Sequence, residues 1–179
     1  EKEQGYGSAL IRGMSEASSD IIITCEPDLT FSHLDVFKFL SYLNDFDCVF
    51  GTRTSKSTIQ SGSKMYFYLR YGNILVAKLL EYLFNGPSLT DVGCSYKAIK
   101  NSSFKKIHHK LKIKGSHFQP EFMINLIETN NAIIEIPVFY LRRAGYSKIT
   151  YSFYSSLRVS LNMIKVIFFL FFKKIFKIK

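Results

Sequence analysis

The chain has 179 residues, of which 47% are hydrophobic and 21% are charged. This composition supplies enough apolar residues for one domain with a sizeable core and excludes an intrinsically disordered chain. The formal net charge is +10, but residues 157–179 hold six cations and no acid, so the preceding residues carry only about +4, which is ordinary for a globular domain.

The start of the chain predicts a helix followed by a strand. Residues 5–17 place apolar side chains at three- and four-residue spacings, as in an amphipathic helix. Residues 21–25 are apolar and β-branched, and they predict a buried strand of a parallel sheet. Because Pro27 ends this strand, Glu26 and Asp28 lie at its carboxyl end.

The rest of the chain predicts further alternation of helix and strand. A helix is expected at 32–43, with Ser32 as its N-cap and Asp35 at its third position, and a strand at 47–53. The later pattern predicts a mobile loop at 54–64, a helix at 65–84, a loop and strand within 89–100, a helix at 120–129, a strand at 132–140 and a basic loop at 141–150.

This alternation indicates an α/β sheet with helices on its faces. In such sheets ligands bind beyond the carboxyl ends of the strands. We therefore expect Glu26, Asp28 and Arg53 to share one cleft. Two carboxylates at this spacing suit Mg²⁺ or Mn²⁺, which would take its other ligands from water and phosphate oxygens. The alternative is a turn with two solvated acids.

Several segments, in this order, carry a resemblance to a known family. They are Gly5-Tyr6-Gly7-Ser8-Ala9, residues 20–31 around Glu26-Pro27-Asp28, Gly51-Thr52-Arg53, residues 89–97 from Leu89 to Lys97, Glu135-Ile136-Pro137-Val138 and Arg142-Arg143-Ala144-Gly145-Tyr146-Ser147-Lys148. Over about residues 4–150 this set resembles the family-2 glycosyltransferases, in particular the branch that acts on polyprenyl or dolichyl phosphate.

The resemblance implies a GT-A fold, a nucleotide-sugar donor, and an inverting, metal-dependent transfer to a polyprenyl phosphate or a related membrane acceptor. Glu26 stands where the family has the first Asp of its metal motif, and Lys97 where the branch has Arg. The family's opening nucleotide-binding segments have no counterpart, and the chain begins at Glu1 without a methionine. We therefore expect a partial GT-A domain at 1–150, cut from a larger protein.

The resemblance also implies roles for individual residues. Glu26 and Asp28 are the expected metal ligands, with Asp28 also counted as catalytic. The expected substrate-binding residues are Arg53, Lys97, Arg142, Arg143, Ser147 and Lys148, with the sequence unable to choose which of the paired arginines points inward. The alternative for Arg53, Arg143 and Lys148 is a solvated surface cation. A lipid phosphate is already anionic and needs no base, whereas a sugar hydroxyl does, and Asp91 is the candidate base. The alternatives for Asp91 are a turn aspartate or a partner for Lys97.

The C-terminal segment 151–179 predicts a basic, aromatic helix that lies on a membrane. Its longest stretch without a charge has seven residues and residues 159–172 number only 14, so a spanning helix is not expected. Its cations are interleaved with Ile, Phe and Leu, which favours a surface of anionic lipid over nucleic acid. Packing of this helix on the core is the alternative, and membrane spans beyond Lys179 stay open.

The leading hypothesis is thus an enzyme fragment at the cytoplasmic face of a membrane. Cys25, Cys48 and Cys94 form no Cys-x-x-Cys pattern and the histidines form no metal-spaced set, so we expect a reducing compartment and no zinc site. Transfer to a glycan hydroxyl in surface polysaccharide synthesis and a non-catalytic membrane-binding fragment are the alternatives. The sequence identifies neither the sugar, the nucleotide base and the acceptor nor the oligomeric state.

Overall fold

A four-stranded sheet and six α-helices make up the residues that the computed structural model describes, which are 4–145 and 152–176. The strands are β1 (Ile21–Thr24), β2 (Cys48–Thr52), β3 (Lys97–Lys100) and β4 (Ile133–Pro137). The helices are α1 (Tyr6–Glu16), α2 (Asp35–Tyr42), α3 (Phe67–Phe84), α4 (Asn101–Ile107), α5 (Phe118–Glu128) and α6 (Phe153–Ile175). Short 3₁₀ helices span Lys56–Thr58 and His108–Lys110.

The sheet is mixed, which corrects the expected parallel sheet. Its order is β1-β3-β2-β4, and β3 runs antiparallel to both neighbours while β2 and β4 are parallel. β1 is an edge strand of this sheet with only Ile22 fully buried, whereas every residue of β2 is buried. The apolar run in β1 therefore indicated the strand correctly but not its position.

The direction of β3 follows from the segment that precedes it. After α3 ends at an αL residue, Asn85, the chain turns back along the same helix. The Leu89 N–H donates to the Glu81 carboxylate near the end of α3, and the Gly93 N–H donates to Asn73 Oδ1 two turns nearer its start. The chain therefore reaches the carboxyl edge of the sheet before β3 begins, and β3 can only run away from that edge.

Two helices differ from their predicted forms. α2 begins at Asp35 rather than at 33, because Ser32 Oγ accepts a hydrogen bond from Leu34 N at 3.3 Å and holds a turn ahead of the helix. α4 was not predicted, since its seven residues are too few to show a helical period.

Hydrophobic cores lie on both faces of the sheet. α2 covers one face, where Phe31, Phe39 and Tyr96 form a ring cluster with centroids 4.7–5.0 Å apart. The other five helices cover the opposite face. α6 belongs to this larger core, because Met163 and Ile167 are buried against it. The boundary expected between 150 and 151 therefore does not separate two cores.

α6 occupies most of the C-terminal segment 151–179 that was predicted to be helical. It runs over 23 residues, and among the described helices it alone is long and apolar enough to cross a membrane by length and composition. Its outward face exposes a set of large apolar side chains: Phe153, Tyr154, Leu157, Leu161, Phe168, Phe169, Phe172 and Ile175. The helix thus packs on the core along one side and leaves the other apolar side uncovered.

Candidate functional site

A cleft of about 490 Å³ opens at the carboxyl edge of the sheet. It is lined by the loops after β1, β2 and β4, by the start of α1, and by one face each of α3 and α6. The predicted residues Glu26, Asp28, Arg53 and Arg143 all line it. The structure therefore brings together four residues that are up to 117 positions apart in the sequence.

The acidic turn after β1 is fixed from two sides. Leu29 has a left-handed backbone with φ 63°, which turns the chain between Asp28 and Thr30. Asp28 Oδ1 accepts hydrogen bonds from Thr30 N at 3.0 Å and from Thr30 Oγ1 at 2.5 Å. The Ala144 N–H donates to the Asp28 carbonyl at 2.9 Å, which ties the turn to the loop that carries Arg143.

Arg143 lies between the two carboxylates of the turn. Its Nη2 is 2.8 Å from Asp28 Oδ2, and its Nη1 is 3.6 Å from Glu26 Oε2. Burial and the nearby Asp28 carboxylate raise the pKa of Glu26. Burial also acts to raise the pKa of Asp28, but the hydrogen bonds from Thr30 outweigh it, and the pKa of Asp28 is lowered. The pair therefore concentrates negative charge that a cation stabilises.

The acidic pair supplies hard oxygen ligands but only two of them. No group of three or more His, Cys, Asp or Glu side chains able to hold a metal ion occurs within residues 4–145 and 152–176. One or two carboxylates, completed by water and substrate phosphate, are the usual protein contribution to a Mg²⁺ site. The turn thus fits a divalent cation that arrives with a phosphate ligand.

Arg53 is held at the cleft by Asp91. Its Nε and Nη2 donate to the two carboxylate oxygens at 2.8 and 2.9 Å, and its backbone N–H donates at 2.9 Å. Asp91 is fully buried and also accepts a hydrogen bond from Gly93 N at 3.1 Å. Although burial acts to raise the pKa of Asp91, the Arg53 cation lowers it. Asp91 therefore faces Arg53 rather than the cleft, and its geometry does not suit the expected base.

Glu135 supports this ion pair from the neighbouring strand. Its carboxylate accepts hydrogen bonds from Thr90 N at 2.7 Å, Thr90 Oγ1 at 2.6 Å and Asp91 N at 3.0 Å. Burial raises the pKa of Glu135 to about 7. The Glu-Ile-Pro motif thus fixes the turn that carries Asp91, and through it the position of Arg53.

Two other predicted substrate-binding residues, Lys97 and Arg142, do not line the cleft. Lys97 is fully buried, its Nζ donates to the Cys94 carbonyl, and burial lowers its pKa, so it does not line the cleft. Arg142 is exposed and outside the cleft lining, which leaves Arg143 as the inward-pointing member of the pair. Ser147 and Lys148 lie outside the described residues, and their roles stay predictions.

The cleft also contains polar side chains that sequence reasoning missed. Tyr6 and Gln119 line it and are joined by a hydrogen bond from Gln119 Nε2 to the Tyr6 hydroxyl at 2.8 Å. Asn73 of α3 and Ser156 and Ser160 of α6 line its other side. Only Tyr6 lay in a segment that carried the family resemblance, and no local pattern marks the others, since their role depends on helix packing.

Comparisons with known proteins agree with this architecture. A family model described as glycosyl transferase family 2 matches residues 1–108. A dolichyl-phosphate hexose transferase from Haloferax volcanii is 26% identical over 151 residues, which are 83% of this chain and 62% of the relative.

Solved structures of glucosyl-3-phosphoglycerate synthase from Mycobacterium tuberculosis are also similar. The complex with Mn²⁺, UDP and phosphoglyceric acid has a TM-score of 0.61 at 17% identity, covering 90% of this chain and 52% of that chain. The complex with Mg²⁺ and UDP has a TM-score of 0.57 at 16% identity, covering 90% and 53%. The chain thus spans about half to three-fifths of the length of these relatives.

Proposed function

Because the chain belongs to glycosyl transferase family 2, we propose that it is part of an enzyme that transfers a sugar from a nucleotide-sugar donor to a phosphate-bearing acceptor at a membrane. The observation that carries the proposal is the convergence of Glu26, Asp28, Arg143 and Arg53 in one cleft at the carboxyl edge of the sheet.

Glu26 and Asp28 are the residues that would hold Mg²⁺ or Mn²⁺. The fit is supported by their hard oxygen atoms and by the cation of Arg143, which both carboxylates already attract. A divalent ion there would supply positive charge against the diphosphate as it departs. The M. tuberculosis synthase, named with Mn²⁺ or Mg²⁺ and UDP, offers a precedent within the same fold.

The two arginines supply the remaining positive charge. Arg53 has a fixed guanidinium, because Asp91 holds both its backbone and its side chain. Arg143 lies on a loop and pairs with the acidic turn, so it is placed to exchange the carboxylates for phosphate oxygens when a donor binds. Guanidinium groups recognise phosphate through paired N–H donors, which suits both donor diphosphate and acceptor phosphate.

An acceptor that is already anionic fits the cleft better than a neutral hydroxyl. A phosphate oxygen attacks the anomeric carbon, the carbon–oxygen bond to the diphosphate breaks, and the nucleoside diphosphate leaves with the electron pair. No proton needs to be removed, which agrees with the sequestration of Asp91 beside Arg53. A polyprenyl phosphate is such an acceptor, and the H. volcanii relative is named a dolichyl-phosphate hexose transferase.

The membrane setting is part of the same proposal. The outward face of α6 is apolar, and residues 153–175 contain cations but no acid. Cys25 is exposed with a free thiol, and Cys48 and Cys94 are free and buried, which suits the reducing cytoplasmic face.

The test compares Asp28→Asn with Asp45→Asn in the complete gene product. Asp45 is exposed and precedes β2, at the end of the strands opposite the cleft. Its variant therefore has the same loss of charge without a change at the site. We expect Asp28→Asn to lower sugar transfer to polyprenyl phosphate by at least about a hundredfold while Asp45→Asn retains it. Isothermal titration with UDP or GDP and Mn²⁺ should show weaker nucleotide binding for Asp28→Asn than for Asp45→Asn. Full turnover by Asp28→Asn removes the acidic turn from the mechanism.

A further inference from the structure

An exposed aromatic cluster joins the starts of α3 and α6. The rings of Tyr68 and Phe153 contact each other across the two helices, with centroids 5.4 Å apart. Tyr66 and Phe67 pack on Tyr68 at 5.5 and 5.9 Å, and Tyr154 packs on Phe153 at 6.2 Å. We call the six side chains Tyr66, Phe67, Tyr68, Tyr71, Phe153 and Tyr154 the aromatic rim.

Five of the six side chains of the aromatic rim are exposed, and Tyr68 is half-buried. Phe67 is 76% exposed and Tyr154 is 82% exposed, and both are larger side chains than a protein surface usually leaves in contact with water. Residues so exposed contribute little to the core. Their clustering from two helices that are distant in the sequence therefore calls for an interaction partner.

The rim lies at the mouth of the cleft. Leu69 of α3 and Met65, which precedes that helix, line the cleft. Ser156 and Ser160 line it from α6, and the rim residue Phe153 lies on the same face of that helix, three and seven residues earlier. A surface that contacts the rim is therefore adjacent to the entrance of the candidate active site.

The distribution of charge along the sequence indicates which kind of surface the aromatic rim contacts. The rim residues belong to segments 48–80 and 136–179, which together hold 14 lysines and arginines and no acid. All 14 acids and the other 10 cations lie in the rest of the chain. Four of these cations, Arg53, Lys78, Arg143 and Lys174, pair with acids of other segments, but the two segments still carry an excess of positive charge. That excess opposes association with a second copy of this chain and is complementary to anionic lipid headgroups.

We infer that the aromatic rim docks on an anionic lipid surface and turns the mouth of the cleft toward it. Tyr side chains prefer the headgroup region, Phe side chains reach the acyl boundary, and the surrounding cations pair with lipid phosphates. This inference deepens the proposed function, because it identifies the route by which a lipid phosphate reaches Arg53 and Arg143. It places α3, and not only the C-terminal helix, at the membrane.

The experiment measures flotation of the complete gene product with vesicles of phosphatidylcholine, with and without about 30% phosphatidylglycerol as the anionic lipid. The rim variant carries Phe67→Ser and Tyr154→Ser. The matched control is Phe37→Ser, because Phe37 is 70% exposed on α2, on the opposite face of the sheet. Thermal melts establish that both variants are folded.

We expect the rim variant to bind anionic vesicles about tenfold more weakly than the unaltered protein and Phe37→Ser to bind them equally well. The inference is overturned if the rim variant binds anionic vesicles as well as the unaltered protein does. It is also overturned if the unaltered protein binds vesicles with and without phosphatidylglycerol equally well. A concentration-dependent dimer that the rim variant dissociates, seen by sedimentation velocity, assigns the surface to a second copy instead.

Nucleotide binding separates this inference from the proposed function. UDP or GDP is titrated with Mn²⁺ into the same samples. Retained nucleotide binding without rim-dependent flotation refutes the rim alone. Rim-dependent flotation without binding of either nucleotide refutes the proposed chemistry alone.

Discussion

Replacing Asp91 with asparagine should free the Arg53 side chain from its fixed position in the cleft wall. The variant keeps the shape of the side chain but removes its charge. If the amide oxygen takes the place of Oδ2, it still accepts from the backbone N–H and Nε of Arg53. The amide NH₂ then points at Arg53 Nη2 and Gly93 N, which are themselves donors.

The expected loss of stability follows from these contacts. Arg53 Nη2 and Gly93 N lose their acceptor, and each donor that stays buried without a partner lowers the free energy of unfolding by about 1–3 kcal/mol. Removing one member of a buried ion pair costs about 3–5 kcal/mol in total. The Arg53 side chain is 16% exposed and can turn toward the cleft, so we take the lower end, about 3 kcal/mol. For a chain of this size that corresponds to a fall in Tm of roughly 6–12 °C.

Urea unfolding of Asp91→Asn measures this free energy, with Asp47→Asn as the control. Asp47 also pairs with a lysine and accepts a backbone N–H, but its side chain is 34% exposed, so its loss should cost no more than about 1 kcal/mol. Nucleotide titration with Mn²⁺ should show weaker binding for Asp91→Asn, because Arg53 is no longer fixed. Equal stability losses in the two variants, with unchanged nucleotide binding, would refute the proposed role of Asp91.

Two further predictions address Glu135 and α6. Burial raises the pKa of Glu135 in the folded state from 4.5 to about 7. Between these pH values the Glu135 carboxyl is protonated in the folded state and ionised in the unfolded state. The free energy of unfolding should therefore fall by up to about 3 kcal/mol as pH rises from about 4.5 to 7. Tm measured against pH should show a shallower fall in Glu135→Gln, and identical slopes would contradict the assignment. Ile167→Ala should lower the free energy of unfolding by about 2–4 kcal/mol, since Ile167 is fully buried, whereas Phe169→Ala, at a position 66% exposed, should change it by less than about 1 kcal/mol. Comparable losses in urea unfolding would contradict the packing of α6.

The sequence predicted the GT-A fold and most of its elements, and the family and structural matches confirm that fold. Residues 21–25 and 47–53 contained their strands because β-branched and apolar runs bounded by polar residues leave few alternatives. The direction of β3 was not predictable, because it depends on hydrogen bonds from Leu89 to Glu81 and from Gly93 to Asn73, which no local periodicity shows. The expected parallel sheet was wrong for this reason.

The candidate site was predicted only where its residues follow strands. Glu26, Asp28 and Arg53 were placed by the rule that strand carboxyl ends meet at one edge. Asp91 and Lys97 were assigned by resemblance, which gives a residue type but not the direction of its side chain. Their burial follows from tertiary contacts, and the polar residues that α3 and α6 contribute to the cleft were missed for the same reason.

One helix forms part of the core with Ile167, part of the cleft wall with Ser160 and part of the outer surface with Phe169. Any amphiphile that covers the outer side of α6, whether detergent micelle, nanodisc or bilayer, therefore contacts a helix that also forms a wall of the candidate cleft. The rate constants of the proposed reaction are therefore expected to depend on the amphiphile in which the protein is dissolved. Preparations should be compared only in the same detergent or lipid.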